Sequence, residues 1–249
     1  MRCLGFCLGF IFCFGCVAFA QPPAVGNYKL VWRDEFDGKK LDALKWRMRS
    51  PGKRGDAFNE PSAVSLDGKG CLVIRAFLKD GKLISGMIHT EGIFSARYGY
   101  FECRARLNQV SGLWSSFWLQ SSGNQENSIP ERDGAEIDIF EYFPHKRRDA
   151  VSHSMHWGGY GATHQVLGPV YSSLKPSADG FHVFGLLWSP AGYRVFVDGT
   201  ETHQSDTHIS AVPEFIILSL EANSLVAGKY LPTALPDSFV VDYVRVYQQ

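Results

Sequence analysis

Neither sign of charge is in excess: 25 Lys and Arg stand against 25 Asp and Glu over 249 residues. A protein that holds nucleic acid or an anionic membrane surface by charge carries a basic surplus, so neither is an expected partner. Sustained helical periodicity is missing, and so are internal repeats, low-complexity tracts and any linker that would divide the chain. Cysteine is scarce beyond the first residues. Of six, Cys3, Cys7, Cys13 and Cys16 fall near the N-terminus, which leaves Cys71 and Cys103. A bridge between these two and a pair of free thiols both remain open, because sequence does not set which way their side chains face.

Residues 1–20 begin with Arg2, run apolar from 4 to 19 and end in Ala18-Phe19-Ala20 ahead of Gln21-Pro22-Pro23. This is the pattern of a cleavable secretory signal. The apolar run is short for a membrane span and no stop-transfer pattern follows. The expectation is a protein that is secreted, periplasmic or on the cell surface, with no membrane span after signal removal and one domain over residues 21–249.

What is abundant is aromatic: 18 Phe, 10 Tyr and 6 Trp, 14% of the chain, enough for a thick core and for a cleft that stacks sugar rings. Short apolar runs are separated by Gly, Pro, Asn and Asp turns. They predict an all-β fold, an antiparallel β-sandwich of jelly-roll type. Residues 98–107 (YGYFECRARL) alternate, which predicts a half-buried strand with Glu102, Arg104 and Arg106 on the open face. In residues 113–119 (LWSSFWL), Trp114, Ser116 and Trp118 share one face and Leu113, Phe117 and Leu119 the other. If the aliphatic side is core, the two indoles face a cleft. The Gly- and Pro-rich segment 49–62 predicts a loop near that cleft, with Asn59 and Glu60 as candidate ligand contacts. Residues 215–221 form an apolar strand that ends in an acid, Glu221, within reach of a ligand.

The most informative stretch is 134–143 (GAEIDIFEYF), with three carboxylates in six residues. On a regular strand Glu136 and Asp138 share a face and Glu141 falls on the other. A β-bulge between Asp138 and Glu141 would shift the parity by one and return Glu141 to its neighbours. Folding has no use for three like charges on one face, whereas glycoside hydrolysis needs paired carboxyl groups with pKa values driven apart. His153 and His156, three apart, fall on opposite strand faces and argue against a zinc pair. His156 and Trp157 are instead candidates to tune the acid/base and hold a sugar.

These pieces together, with LVWRDEFDG at 30–38 and VDYVRVY at 241–247, resemble glycoside hydrolase family 16, in the family's order over nearly the whole mature chain. The resemblance implies a curved jelly roll with a concave substrate cleft, and a catalytic domain over 21–249 that is endo-acting and retaining on β-linked polysaccharides. It implies Glu136 as nucleophile, Glu141 as acid/base and Asp138 as the acid that orients the nucleophile. The spacing E-x-D-x-x-E is similar to the bulged branch of the family. Trp118 resembles the indole beside the cleaved bond, and His156 a histidine near the acid/base. The first cleft loop keeps only Asn59-Glu60 of the stretch usual in laminarinases, and Gly86-Met87-Ile88-His89-Thr90 stands where many relatives carry an Arg. A β-1,3-glucan and a β-galactan therefore both remain open as substrate. A monomer that requires no cofactor is expected, and the resemblance implies a structural calcium on the convex face through Asp242 as an option. The alternatives are a non-catalytic carbohydrate-binding lectin and a transglycosylase on the same fold; a zinc hydrolase is the weakest.

Overall fold

The computed structural model of the protein describes residues 27–249, so the signal expected at residues 1–20 lies outside the described residues. Two antiparallel layers follow from the alternating strands. The layer that carries the cleft runs in the order Gln165–Ser173, Ala150–Trp157, Glu136–Tyr142, Leu113–Gln120, Phe215–Ala222, Lys82–His89 and Arg47–Met48. The opposing layer runs Thr200–Ser205, Gly192–Val197, His182–Ser189, Gly99–Arg106 and Asp237–Gln248. The far side of Asp237–Gln248 pairs with both Lys29–Asp34 and Leu72–Lys79.

One strand ties the layers together. Lys82–His89 pairs with Leu72–Lys79 through its first residues and with Phe215–Ala222 through its last, so the chain passes from one sheet into the other without a break. The hairpin of Gly52–Arg54 and Ala57–Asn59 attaches to the same strand in parallel, and brings residues of the first loop to one wall of the cleft. Among the described residues the α-helices are single turns, Pro130–Asp133 and Ser224–Ala227. None is long and apolar enough to cross a membrane.

The core between the layers takes the inward residues of both. Ile137, Ile139, Phe140 and Tyr142 of the acidic strand are buried there with Phe117, Leu119, Phe184 and Phe239. Phe140 and Phe184 meet across the layers with ring centroids 4.0 Å apart. Each such side chain stabilises the fold by about 1.5–3 kcal/mol on burial, which sets which face of the acidic strand must point inward.

The strand Gly99–Arg106 differs from its half-buried prediction. Glu102 is fully buried, and its carboxylate accepts from the Tyr243 hydroxyl at 2.9 Å. Tyr100 packs on Phe196 and Tyr247 on the same outer side. The alternation was polar by residue type, but these aromatic side chains cover it with a second buried patch. Cys71 and Cys103 are free thiols, the second buried in the core.

Candidate active site

The register of the acidic strand breaks where the parity argument requires. Asp138 lies opposite Trp118 on one side and Ser154 on the other, whereas Glu141 lies opposite Ser116 and Ser152. Phe140 pairs with Phe117, so Ile139 is the extra residue on that side. Ile139 and Phe140 both enter the core, and Glu141 returns to the face of Glu136 and Asp138. The two inward apolar side chains in succession are what hold the bulge, because a regular strand would put Phe140 in the cleft and Glu141 in the core.

A bulge leaves backbone groups without ladder partners. Here His153 Nδ1–H donates to the Ile139 carbonyl at 2.6 Å, and Nε2 lies 2.7 Å from Ser172 Oγ. Burial pushes the His153 pKa down to about 4, so the ring is neutral and has one donor and one acceptor to offer. His153→Phe fills the same space without the donor. It is expected to cost about 1–3 kcal/mol in chemical denaturation, and to lower activity as well because the bulge positions Glu141.

The three carboxyls line a cleft of about 450 Å³ with Trp114, Ser116 and Trp118, the face of that neighbouring strand opposite its core side chains. The Tyr160 hydroxyl donates to Glu136 Oε2, and Gln120 Nε2 donates to the same oxygen at 3.2 Å. Among the described residues no donor reaches the carboxyl of Glu141. Across the floor, Trp118 Nε1–H donates to Ser219 Oγ at 3.2 Å, and Ser219 donates to Glu221 Oε1 at 3.1 Å. Arg54 closes the row with a two-pronged contact to Glu221, 2.5 Å from Nε and 3.2 Å from Nη2.

Burial and mutual repulsion raise all three acids. Burial and then Asp138 push Glu136 up to about 8, opposed by the Tyr160 hydrogen bond and His156. Burial and Glu221 raise Asp138. Glu141 is raised well above the carboxylate range by burial, then by Asp138, Glu136 and Glu221, with His156 alone opposing. The donors therefore single out Glu136 as the carboxyl that ionises more easily and leave Glu141 as the one that keeps its proton.

The other predicted contacts divide. Trp114, Trp118 and Glu221 line the cleft; Trp114 also stacks on Phe143 at 5.5 Å. Trp157 does not line it. Its ring stacks on His208 at 4.3 Å, on the strand face opposite to His156. Asn59 is buried in the small hairpin, 5% exposed, and does not line the cleft either, while Glu60 binds Lys79 and Ser62 at the surface. His156 lies opposite Glu136 in register, on the same face of the sheet, with Nε2 3.3 Å from Asp138 Oδ2.

Sequence reasoning missed Arg54, Gln120, Tyr160 and His164. Tyr160 sits in the glycine-rich turn after the histidines, a position where a phenol has no core to fill, and that was the available signal.

Asp242 does not fit a calcium ion. Its Oδ2 accepts from Arg104 Nη1 at 2.6 Å, and Arg104 also binds Asp179. A guanidinium thus neutralises the carboxylate and repels a second cation, where calcium would need six to eight oxygen ligands. Glu136, Asp138 and His156 offer atoms within 4.8 Å of one another, but the His156 nitrogen already faces the Asp138 carboxyl at 3.3 Å. Dialysis against a strong chelator is expected to leave both melting temperature and activity unchanged, and a loss of either that is restored by a divalent cation would contradict this.

A family model described as glycosyl hydrolases family 16 matches residues 58–245. The chain is 25% identical over 271 residues to glucan endo-1,3-beta-glucosidase A1 of Niallia circulans, covering 91% of this chain and 39% of that one. It is 28% identical over 257 residues to the keratan-sulfate endo-1,4-beta-galactosidase of Sphingobacterium multivorum, covering 92% and 57%. The chain thus spans about two fifths and somewhat over half of these relatives. A laminarinase from Flavobacterium sp. UMI-01 superposes with a TM-score of 0.76 at 26% identity, over 88% of this chain and all of the other.

Proposed function

The chain belongs to the glycosyl hydrolases of family 16, and on that premise we propose that it is an exported, endo-acting, retaining β-glycosidase that cleaves internal linkages of a β-1,3-glucan or β-galactan. The observation that carries this reading is the bulge that returns Glu141 to the cleft face of Glu136 and Asp138.

In the first step Glu136 attacks the anomeric carbon while Glu141 gives its proton to the leaving oxygen. Glu136 has the donors that favour its anion, and Glu141 has none and keeps its proton, so of the two Glu136 is the first to ionise and Glu141 the one left to act as acid. In the second step Glu141, now ionised, takes a proton from water, which attacks the same carbon and frees Glu136. Asp138 lies between them on the strand and responds to the charge that leaves Glu136. Sugar rings stack on Trp118 and Trp114, and Arg54 holds Glu221 at the rim of the floor.

The test is incubation of the mature protein with laminarin, agarose, porphyran, carrageenan and mucin-type glycans, with products sized and their anomeric form followed by NMR. Internal cleavage with β-configured products supports the proposal. Cleavage of none of them supports a lectin, and longer products at high acceptor concentration support a transglycosylase.

One feature favours a charged galactan over a neutral glucan. Arg47 lies opposite His89 at the edge of the cleft sheet and Arg49 lines the cleft, and neither side chain has an acidic partner among the described residues. The relative named for keratan sulfate is itself an endo-1,4-beta-galactosidase by name. Unpaired guanidinium groups bind sulfate esters through charge-assisted hydrogen bonds. Replacing both by Ala is expected to raise KM for a sulfated galactan roughly tenfold, and to leave a neutral glucan unaffected. An equal change on both would remove the charge argument. Export is tested by fractionation of the cells that make the protein and by the N-terminal residue of the mature form.

A further inference from the structure

The turn between Trp157 and Gln165 delivers two side chains to the acids. Gly158 and Gly159 both have positive φ, 74° and 69°, and a Cβ on Gly159 would meet the Glu126 nitrogen at 2.8 Å. The backbone is pinned on both flanks. Gly158 N–H donates to Ser128 Oγ at 3.0 Å, Gly159 N–H to Asn124 Oδ1 at 3.1 Å, and Asn127 N–H to Thr163 Oγ1 at 2.9 Å. From this turn Tyr160 reaches Glu136, and His164 reaches back to His156, Nε2 to Nδ1 at 2.9 Å with rings 7° from parallel. His156 Nε2 in turn faces Asp138 Oδ2 at 3.3 Å.

We propose that His164 is a positioning residue for Asp138, acting through His156. This deepens the glycosidase reading and rests on it. When Asp138 is ionised, His156 Nε2–H donates to it, and a neutral His156 must then accept at Nδ1, which the His164 Nε2–H supplies. When Asp138 is protonated its O–H donates to His156 Nε2, and the His156 Nδ1–H then donates to His164 Nε2. Each state of the acid has a matching state of the imidazole pair, so Asp138 can change its proton during the cycle without leaving a buried atom unpaired.

A water molecule in place of His164 would satisfy Nδ1 but would not hold the ring plane. The groups facing the pair are few. Asp138 and Glu136 face His156 from the acidic strand, Val166 lies opposite it on the next strand, and the His156 carbonyl accepts from Asn124 Nδ2 at 3.4 Å. Tyr160 faces His164 with ring centroids 6.1 Å apart, and the Glu126 carboxylate lies against Gly161 in the same turn. Glu141, Glu221 and Arg54 lie beyond, across the cleft. Burial and then His156 lower the pKa of His164, which favours the neutral ring that both arrangements need.

The experiment compares wild type with His164→Ala, His164→Gln, His156→Ala and the double Ala variant, recording kcat, KM and the pH profile on whichever glycan wild type cleaves. His164→Ala is expected to lower kcat by roughly ten- to a hundredfold, to leave KM within about twofold, and to move the acidic limb of the profile. His164→Gln, whose amide can donate or accept, should recover most of the loss. In the His156→Ala background the His164 change should add nothing.

The proposal is overturned by an unchanged kcat and profile, by effects that multiply in the double variant, or by a rise in KM alone. Equal loss in the Ala and Gln variants with lowered melting temperatures would also overturn it. Imidazole ¹⁵N shifts provide an arm that needs no activity. Wild type should show a single tautomer of His156, and His164→Ala should show a mixture. If wild type cleaves nothing, the glycosidase reading fails while this arm still decides the hydrogen bond.

Discussion

Glu136→Gln is expected to lower kcat/KM on the cleavable glycan by on the order of 10⁴-fold, while binding of the same glycan persists. The amide keeps the shape of the carboxyl and can still accept from Tyr160, so the cleft and its aromatic floor are preserved. It cannot attack carbon, and no other carboxyl stands in its place, because Asp138 is tied to His156 and Glu141 has kept its proton. The variant should melt at the same temperature or above it, since one member of a mutually repelling group has lost its charge. Intrinsic tryptophan fluorescence, to which Trp114 and Trp118 contribute, would follow the retained binding. Activity equal to wild type on every glycan would end the nucleophile assignment. Cutting Glu136 to Ala and adding azide offers a positive signal, because the small anion can enter the space and form a glycosyl azide of inverted configuration.

The second large effect is on Glu141. Glu141→Ala should slow polysaccharide cleavage by about 10²–10⁴-fold, because the leaving oxygen then departs without a proton. The loss should shrink on aryl glycosides whose phenolate leaves unaided. Here azide should restore turnover with retained configuration, since it intercepts the glycosyl-enzyme that Glu136 still forms.

The pH profile should change in a defined direction. On the proposed mechanism, wild-type activity on the acidic side requires an ionised nucleophile, and on the alkaline side it requires the Glu141 proton. Burial and three neighbouring acids hold that proton well above the usual carboxylate range, so the alkaline limb should fall only above neutrality. With Glu141 removed, that limb should vanish and the acidic limb should remain. An alkaline limb that survives in the variant would assign it to another group.

The pair of predictions also separates the readings of the cleft. A lectin would lose nothing measurable in either variant, and a transglycosylase would lose both of its steps together with hydrolysis. The two-carboxyl mechanism alone predicts opposite azide stereochemistry from two positions five residues apart on one strand.

Much of this was legible in the order of residues. Strand parity is a local property, and the run from Glu136 to Glu141 broke it in a way that only a bulge repairs; the chain carries that information in Ile139-Phe140, two apolar residues where alternation allows one. Trp114 and Trp118 were assigned to the cleft by the same period of two, and the balanced charge and missing helical period excluded whole classes before any coordinate. Trp157 and Asn59 went wrong for a physical reason. Parity says that neighbouring residues face opposite ways, but not which partner waits on each side, and His208 and the strand Lys82–His89, whose Ser85 lies opposite Asn59, are far away in sequence. The buried Glu102 eluded the pattern because its cover comes from Tyr243, 141 positions later.

Local pattern, then, was enough for the all-β class, the acid cluster and its bulge, since each depends on side chains within a few residues of one another. Only the tertiary fold could decide which carboxyl keeps its proton, that Arg54 holds Glu221, that Arg104 takes the place beside Asp242, and that a glycine turn carries Tyr160 to Glu136 and His164 to His156. Those outcomes rest on desolvation and on contacts between distant segments, and both come into being when the two layers close over the core.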